Sequence, residues 1–136
     1  MEVIMKTTYI WGIVIGLFIG LIVILSLQKE KAVYHYRTVT NEEAIEMLAR
    51  EEVTILDVRT KLEYNSGHIK GALHIPLESI DEQFPKLFTD KNAYYLIYCQ
   101  SGSRSEKASK KLATLGYQNV YDFGSIDQWD GDLVKD

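Results

Sequence analysis

The chain has 136 residues, of which 46% are hydrophobic, and it carries 15 Lys and Arg against 19 Asp and Glu, a formal net charge of −4. This length suffices for one domain of ordinary size, and a mildly acidic chain without a long basic run is a poor candidate for binding nucleic acid. The single cysteine excludes an intramolecular disulfide framework and a cysteine-rich zinc site. We therefore expect no nucleic-acid partner, and the lone thiol is either inert or reactive.

The first element is the apolar run over residues 9–27, which contains no charged side chain. A helix of that length spans roughly 28 Å, close to the hydrocarbon thickness of a bilayer. Tyr9 and Trp11 lie at one end, where amphipathic rings favour the interface. A cleaved signal peptide is the alternative, but the run is longer than usual and no small-x-small motif follows it. We predict a short tail over residues 1–8 and a transmembrane helix over residues 9–27.

Basic residues beside this span indicate its orientation. Lys6 precedes the span, whereas Lys29, Lys31 and Arg37 follow it. Because basic residues are enriched on the cytoplasmic side, this bias weakly favours a cytoplasmic C-terminal domain. We expect a single-pass protein of the cell membrane with its soluble domain in the cytoplasm.

Gly12, Gly16 and Gly20 recur at every fourth residue and therefore stack on one face of the helix. Small residues there let two helix backbones approach closely, which permits a homodimer. Glycine is also simply common in membrane helices, so the pattern leaves both interpretations open.

Residues 28–37 form a short polar stretch that predicts a linker, and residues 38–136 have the usual size of a compact domain. Thr40 and Glu43 make a T-x-x-E capping box before a helix that ends near Arg50. The further predicted strands are residues 53–57, 72–75, 94–98 and 119–122, and the further predicted helices are residues 77–88 (interrupted by Pro85), 105–115 and 126–129. Strands alternating with helices predict an α/β domain with a largely parallel sheet.

Cys99 directly follows the strongest predicted strand, at the sheet edge where reactive groups gather in such folds. The residues after it are Gln100, Ser101, Gly102, Ser103, Arg104 and Ser105. Small residues let the backbone curl so that several N–H groups converge, and the following helix adds its unpaired donors and its dipole. Such a cradle binds an anion and stabilises a thiolate, and Arg104 adds a fixed positive charge. We interpret Cys99 as reactive rather than as inert core filler.

Two reactions use a thiolate in an anion cradle, namely phosphate ester hydrolysis and sulfur transfer. Cysteine phosphatases carry H-C-x5-R, whereas this chain has Tyr98 before Cys99 and reaches Arg104 after four residues. A loop shorter by one residue makes a tighter cradle, which suits a persulfide better than a phosphoryl group. The spacing favours sulfur transfer and disfavours phosphatase or arsenate reductase activity.

Three motifs occur in a fixed order along the soluble part. The first comprises residues 56–59 (LDVR), 63–64 (EY), 67–69 (GHI), 71–72 (GA) and 75–76 (IP), the second residues 99–105 (CQSGSRS), and the third residues 115–120 (LGYQNV). Together they resemble the single-domain form of the rhodanese (thiosulfate sulfurtransferase) homology domain from about residue 38 to residue 129. The family usually has Gly-Gly before the next isoleucine, whereas this chain has Gly124 and Ser125 before Ile126.

The resemblance implies a central parallel sheet flanked by helices on both faces, preceded here by one transmembrane helix. It also implies that Cys99 takes a sulfane sulfur from a small anionic donor such as thiosulfate and passes it to a thiol or protein acceptor. The amides of residues 100–105 would hold the persulfide, and Arg104 would help to bind the donor. The alternative is a non-catalytic rhodanese-like module that binds or senses a partner at the membrane.

Asp57 and Arg59 come directly after a predicted strand, at the edge where the site is expected. We interpret them as an ion pair that orders the loops rather than as substrate ligands, and we place Glu63 in the same network. His68 could be a general base, but an ionised thiol needs none, so we interpret His68 as structural. No pattern indicates a metal ion or an organic cofactor, and we expect neither.

Overall fold

The computed structural model describes residues 1–27, 35–50 and 52–135 of the chain. The chain divides into two compact units, Met1–Val33 and Tyr34–Asp136. Most of the predicted linker, residues 28–34, lies outside the described residues. The second unit carries the predicted reactive cysteine.

The described part of the first unit contains one helix, α1 (Glu2–Leu27). It begins well before residue 9, so the predicted tail is helical, and the Thr7 hydroxyl donates to the Val3 carbonyl one turn back. The segment Glu2–Ile24 is long and apolar enough to cross a membrane, judged by length and composition alone. A Cβ added at any of the three stacked glycines would meet no atom within 4 Å.

The second unit alternates strands and helices. The strands are β1 (Tyr36–Thr38), β2 (Val53–Asp57), β3 (His68–Ile69), β4 (Leu73–His74), β5 (Tyr94–Cys99), β6 (Asn119–Ser125) and β7 (Leu133–Val134). The helices are α2 (Asn41–Arg50), α3 (Lys61–Ser66), α4 (Ile80–Leu87) and α5 (Ser103–Thr114), with 3-10 turns at Leu77–Ser79 and Ile126–Gln128. Five strands form one parallel sheet in the order β1-β6-β5-β2-β4, and β3 pairs with β7 in a separate antiparallel pair.

Each face of the parallel sheet buries its own core. On one face, Phe84 of α4 and Leu112 of α5 pack with Ile97 of the central strand β5. On the other face, Ala44 of α2 packs with Tyr98 of β5. Because neighbouring strand residues point to opposite faces, the apolar run of β5 feeds both cores. The predicted α/β fold, with helices on both faces of a parallel sheet, is confirmed.

Several element boundaries differ from the prediction. The strand β1 begins at Tyr36, inside the stretch predicted as linker, and α5 begins at Ser103 rather than at residue 105. The predicted interruption at Pro85 is wrong, because α4 continues to Leu87. Pro85 lies near the end of α4, so its missing N–H removes only a bond to the second residue of that helix, Asp81.

The predicted capping box at the start of α2 is present. Thr40 Oγ1 accepts from the Glu43 N–H at 3.2 Å, and the Glu43 carboxylate accepts from the Thr40 N–H at 2.9 Å. Thr40→Ala is expected to lower the free energy of unfolding by about 1 kcal/mol, because an N–H of the first turn loses its acceptor. Chemical denaturation of the full chain in detergent would measure this. Thr40→Ser keeps the hydroxyl and should retain most of the stability; equal losses in the two variants would contradict the prediction.

Candidate active site

Strands β2, β5 and β6 run parallel, so their carboxyl ends meet at one edge of the sheet. Cys99 is the last residue of β5 and is paired with Ser125 at the end of β6. Asp57 ends β2, and Val58 continues beside β5, its N–H donating to the Tyr98 carbonyl at 3.1 Å. This edge therefore collects Cys99, which the sequence predicts to be reactive, and the polar residues predicted around it.

The segment after Cys99, residues 100–105 (the active loop), folds back over the sulfur. The Gly102 N–H donates to Cys99 Sγ at 3.0 Å, and α5 begins at the next residue. Gly102 has φ +95°, a left-handed conformation that glycine adopts without steric cost. The first amides of α5 have no acceptor within the helix, so negative charge on this sulfur would lie beside donors and the positive end of a dipole. Cys99 itself is buried, at 0% exposed.

Ser105, predicted among the persulfide-binding residues, holds the loop through its side chain. Its hydroxyl lies 2.9 Å from the Gly102 carbonyl and 3.4 Å from the Gly124 carbonyl, and the residue is fully buried. Below it, the Asp122 carboxylate accepts from the Gly124 N–H at 3.0 Å, and burial raises the pKa of Asp122. The end of β6 therefore supplies polar groups that support the active loop.

Asp57 and Arg59 form a buried ion pair. The Arg59 Nη2–Asp57 Oδ2 distance is 2.6 Å, and neither residue is more than 3% exposed. Burial opposes the charge on Arg59, but the bonds to Asp57 outweigh it and raise the pKa of the guanidinium. Arg59 also donates to the Gly67 carbonyl at 2.7 Å and to Gln100 Oε1 at 3.1 Å. One cation therefore ties the loop after β2 and the turn before β3 to the active loop.

Glu63, which we predicted in the network of Asp57 and Arg59, makes its own ion pair with Arg104. Its carboxylate accepts two hydrogen bonds from Arg104, at 2.7 and 2.8 Å. Helix α3 places this carboxylate at the entrance of the active loop, which we call its mouth. It also accepts from the Thr60 N–H at 2.8 Å and so caps α3. The Arg104 hydrogen bonds, more than the cap, hold the pKa of Glu63 well below its usual range. The positive charge predicted for donor binding is therefore already shared with a carboxylate.

The Gln100 side chain points to the Arg59 side of the loop. Its Nε2 lies 3.3 Å from Asp127 Oδ1, and together with Arg59, Asp127 and Trp129 it lines a cavity of about 360 Å³. The side chain therefore contacts polar groups other than the sulfur. Across the residues that the structure describes, no three His, Cys, Asp or Glu side chains cluster as metal ligands would.

His68 is buried, and its ring contacts residues of the protein core. Its Nδ1 lies 3.0 Å from the Tyr64 carbonyl, and its ring stacks on the Tyr64 ring with the centroids 3.8 Å apart. The Tyr98 hydroxyl, which the sequence prediction left out, accepts from the Ile69 N–H at 3.1 Å and so fixes β3 against the central strand. This places His68 in the scaffold around the active loop.

Two residues that matter at the site were missed from the sequence. Thr60 forms a capping box with Glu63, a T-x-x-E signature that the sequence displays just as it does at Thr40 and Glu43. Ser125 donates to the Gln100 carbonyl at 2.6 Å. Only its departure from the usual glycine pointed to Ser125, and nothing in the sequence indicated its partner.

Comparison with known families matches residues 40–132 to the Rhodanese-like domain. Among curated proteins, thiosulfate sulfurtransferase GlpE of Coxiella burnetii (strain RSA 493 / Nine Mile phase I) is 30% identical over 95 residues, which are 69% of this chain and 87% of that protein. The tRNA uridine(34) hydroxylase of Hamiltonella defensa is 37% identical over 83 residues, which are 58% of this chain. The chain covers only 23% of the length of that hydroxylase, so the likeness concerns one part of it.

A solved structure described as "rhodanese with anions from E. coli" superposes on this chain with a TM-score of 0.59 and 31% sequence identity. The alignment covers 62% of this chain and 99% of that one. The similarity therefore extends over essentially the whole of the smaller protein, and it supports the fold described above.

Proposed function

Because this chain belongs to the rhodanese-like domain family, we propose that it transfers a sulfane sulfur from a donor to a thiophilic acceptor through a persulfide on Cys99. The observation that carries this proposal is the hydrogen bond of 3.0 Å from the Gly102 N–H to Cys99 Sγ, at the N-terminus of α5. An amide already directed at the sulfur suits a group that is negatively charged both as thiolate and as persulfide. The sulfurtransferase among the relatives supports the same chemistry.

The reaction is a pair of displacements at sulfur. The Cys99 thiolate attacks the sulfane sulfur of a donor such as thiosulfate, a new S–S bond forms, and the old S–S bond breaks with its electron pair leaving on sulfite. The terminal sulfur of the persulfide keeps one negative charge, so the same amides serve before and after the transfer. A thiolate or cyanide acceptor then attacks that terminal sulfur and restores the Cys99 thiolate without net oxidation.

The ion pair at the mouth of the active loop determines how strongly an anionic donor is attracted. Arg104 gives two hydrogen bonds to Glu63, and Glu78 lies close enough to influence the pKa of Arg104. A small anionic donor therefore meets a guanidinium that is already neutralised, and the loop amides supply most of the attraction. The acceptor that we propose is a thiol, either of a small molecule or of a protein.

We place this activity at a membrane. The apolar segment Glu2–Ile24 serves as a single-pass anchor, and the basic residues Lys29, Lys31 and Arg37 favour a cytoplasmic catalytic domain. A homodimer through Gly12, Gly16 and Gly20 is compatible with the open glycine face of α1. Selective labelling of Lys residues in sealed vesicles would test the orientation.

The proposed function predicts a covalent intermediate that can be weighed. Incubating the full chain in detergent with thiosulfate is expected to add the mass of one sulfur atom, and cyanide is expected to remove it. Cys99→Ser is the matched control, since a hydroxyl of similar size replaces the nucleophile, and it should gain no mass. Intact-protein mass spectrometry measures both. A folded wild-type protein that gains no sulfur from thiosulfate or from other sulfane donors would contradict the proposal.

A non-catalytic binding module is the second candidate, and the complete burial of Cys99 favours it. In that case the fold would recognise a partner without using the thiol. Partner capture that is equally strong with Cys99→Ser, together with no persulfide in the mass measurement, would select this alternative. Capture that depends on the thiol would select sulfur transfer.

A further inference from the structure

The end of β6 departs from regular pairing where it passes the active loop. Ile97 pairs with Asp122 and Tyr98 pairs with Gly124, so Phe123 is an extra residue opposite β5. Gly124 follows with φ +83°. Such a bulge re-aims the residues that follow it, and it brings Ser125 level with Cys99.

The Ser125 hydroxyl makes hydrogen bonds to two backbone groups. It donates to the Gln100 carbonyl at 2.6 Å, and it accepts from the Asp127 N–H at 3.2 Å. A hydroxyl has only one proton to donate, so Ser125 cannot donate to another group while it bonds the active loop. As an acceptor, the same hydroxyl oxygen caps the 3-10 turn Ile126–Gln128, and this bond helps to fix the serine side chain.

This bond fixes the direction of the first peptide of the loop. A trans peptide is planar, and its C=O and the following N–H point in opposite directions. Since the Gln100 carbonyl is held toward Ser125, the Ser101 N–H points away from β6. The next amide, that of Gly102, already donates to Cys99 Sγ. A free rotation of the 100–101 peptide would turn its carbonyl oxygen toward the loop, where it would repel a negative sulfur.

We propose that Ser125 is a positioning residue, whose hydroxyl holds the Gln100 carbonyl on the β6 side of the loop and so keeps the loop in the conformation in which the Gly102 N–H donates to the charged sulfur of Cys99. A glycine at this place, as the family usually has, offers no such bond. The inference rests on the proposed function for its biological use, but the effect on the thiolate itself requires no sulfur transfer.

The test is the pH dependence of Cys99 alkylation by iodoacetamide in the full chain, because only the thiolate reacts. Ser125→Ala and Ser125→Gly are expected to raise the pH midpoint of alkylation by roughly half to one unit, since the loop amide that donates to the charged sulfur is then held less firmly. Ser125→Thr keeps the hydroxyl and should restore the wild-type midpoint. A variant that only makes the buried thiol easier to reach would raise the absolute rate and, by solvating the thiolate, would lower the midpoint rather than raise it.

Thr114→Ala is the matched control, since it removes a hydroxyl that donates to the Lys110 carbonyl at 2.8 Å near the other end of α5. Near-ultraviolet circular dichroism identifies any variant that has unfolded, and Ser125→Gly provides a second variant should Ser125→Ala do so. An unchanged midpoint in folded Ser125→Ala or Ser125→Gly, or a Ser125→Thr midpoint as high as theirs, would overturn the proposal. A raised midpoint in a chain that forms no persulfide would leave this inference standing and reject the proposed function.

Discussion

Arg59→Ala is expected to lower the free energy of unfolding by about 3–5 kcal/mol, the cost of leaving a buried charge without its partner. Asp57 is 0% exposed and would keep a buried carboxylate without the guanidinium that bonds both of its oxygens. The Gly67 carbonyl would also lose its 2.7 Å hydrogen bond. Chemical denaturation of the full chain in detergent, followed by near-ultraviolet circular dichroism, would measure the loss.

The control is Lys86→Ala, which breaks an exposed pair with Glu82 of N···O distance 2.8 Å. Exposed pairs contribute little because water and salt screen them, so this variant should remain close to wild type. Replacing both buried partners, with Asp57→Leu and Arg59→Met together, should recover part of the stability lost in Arg59→Ala. A loss in Arg59→Ala no larger than in Lys86→Ala would show that the ion pair does not hold the loops.

The sequence was sufficient to predict those strands and helices that neighbouring residues in the chain determine. The run Val53–Asp57 is apolar and rich in β-branched residues, and it forms β2 with those bounds. The capping box at Thr40 likewise marked the start of α2. By contrast, β3 and β7 are two residues each and lie far apart in the chain, and they are strands only because they pair with each other. No periodicity can be read from two residues.

The same division applies to the site. The four residues between Cys99 and Arg104, and the glycine among them, predicted an anion cradle from the chain's immediate neighbourhood. The partner of Arg104 is Glu63, 41 residues away, and the partner of the Gln100 carbonyl is Ser125, 25 residues away. These pairings depend on how α3 and the bulged β6 are packed against the loop. The sequence therefore identified the loop after Cys99, but it did not indicate which residues pair with that loop across the fold.

Arg104→Ala is expected to lower kcat/KM for thiosulfate by at least about tenfold, which is about 1.4 kcal/mol in the barrier. The reason lies in what the substitution leaves behind. Glu63 would keep its carboxylate at the mouth of the loop, with a side chain only 30% exposed and no guanidinium to neutralise it. That charge would repel both the donor and the thiolate. Steady-state assays of the full chain in detergent would measure the loss.

The Glu63→Gln, Arg104→Ala double variant separates two ways in which Arg104 could act. Glutamine can still cap α3 through Thr60, so the substitution removes the charge and keeps the capping box. Since both terminal nitrogens of Arg104 are bonded to Glu63, we expect the double variant to regain at least about tenfold over Arg104→Ala, because loss of like-charge repulsion lowers the barrier by more than 1.4 kcal/mol.

Salt provides an independent check on the same argument. If repulsion from Glu63 causes the defect of Arg104→Ala, raising the ionic strength should restore part of its activity by screening, and it should have less effect on the double variant. A double variant that stays as slow as Arg104→Ala, with no response to salt in either, would mean that Arg104 leaves Glu63 during turnover and binds the donor directly. The ion pair would then be a resting state that the anionic donor must break, and Glu63 would be its competitor for the guanidinium.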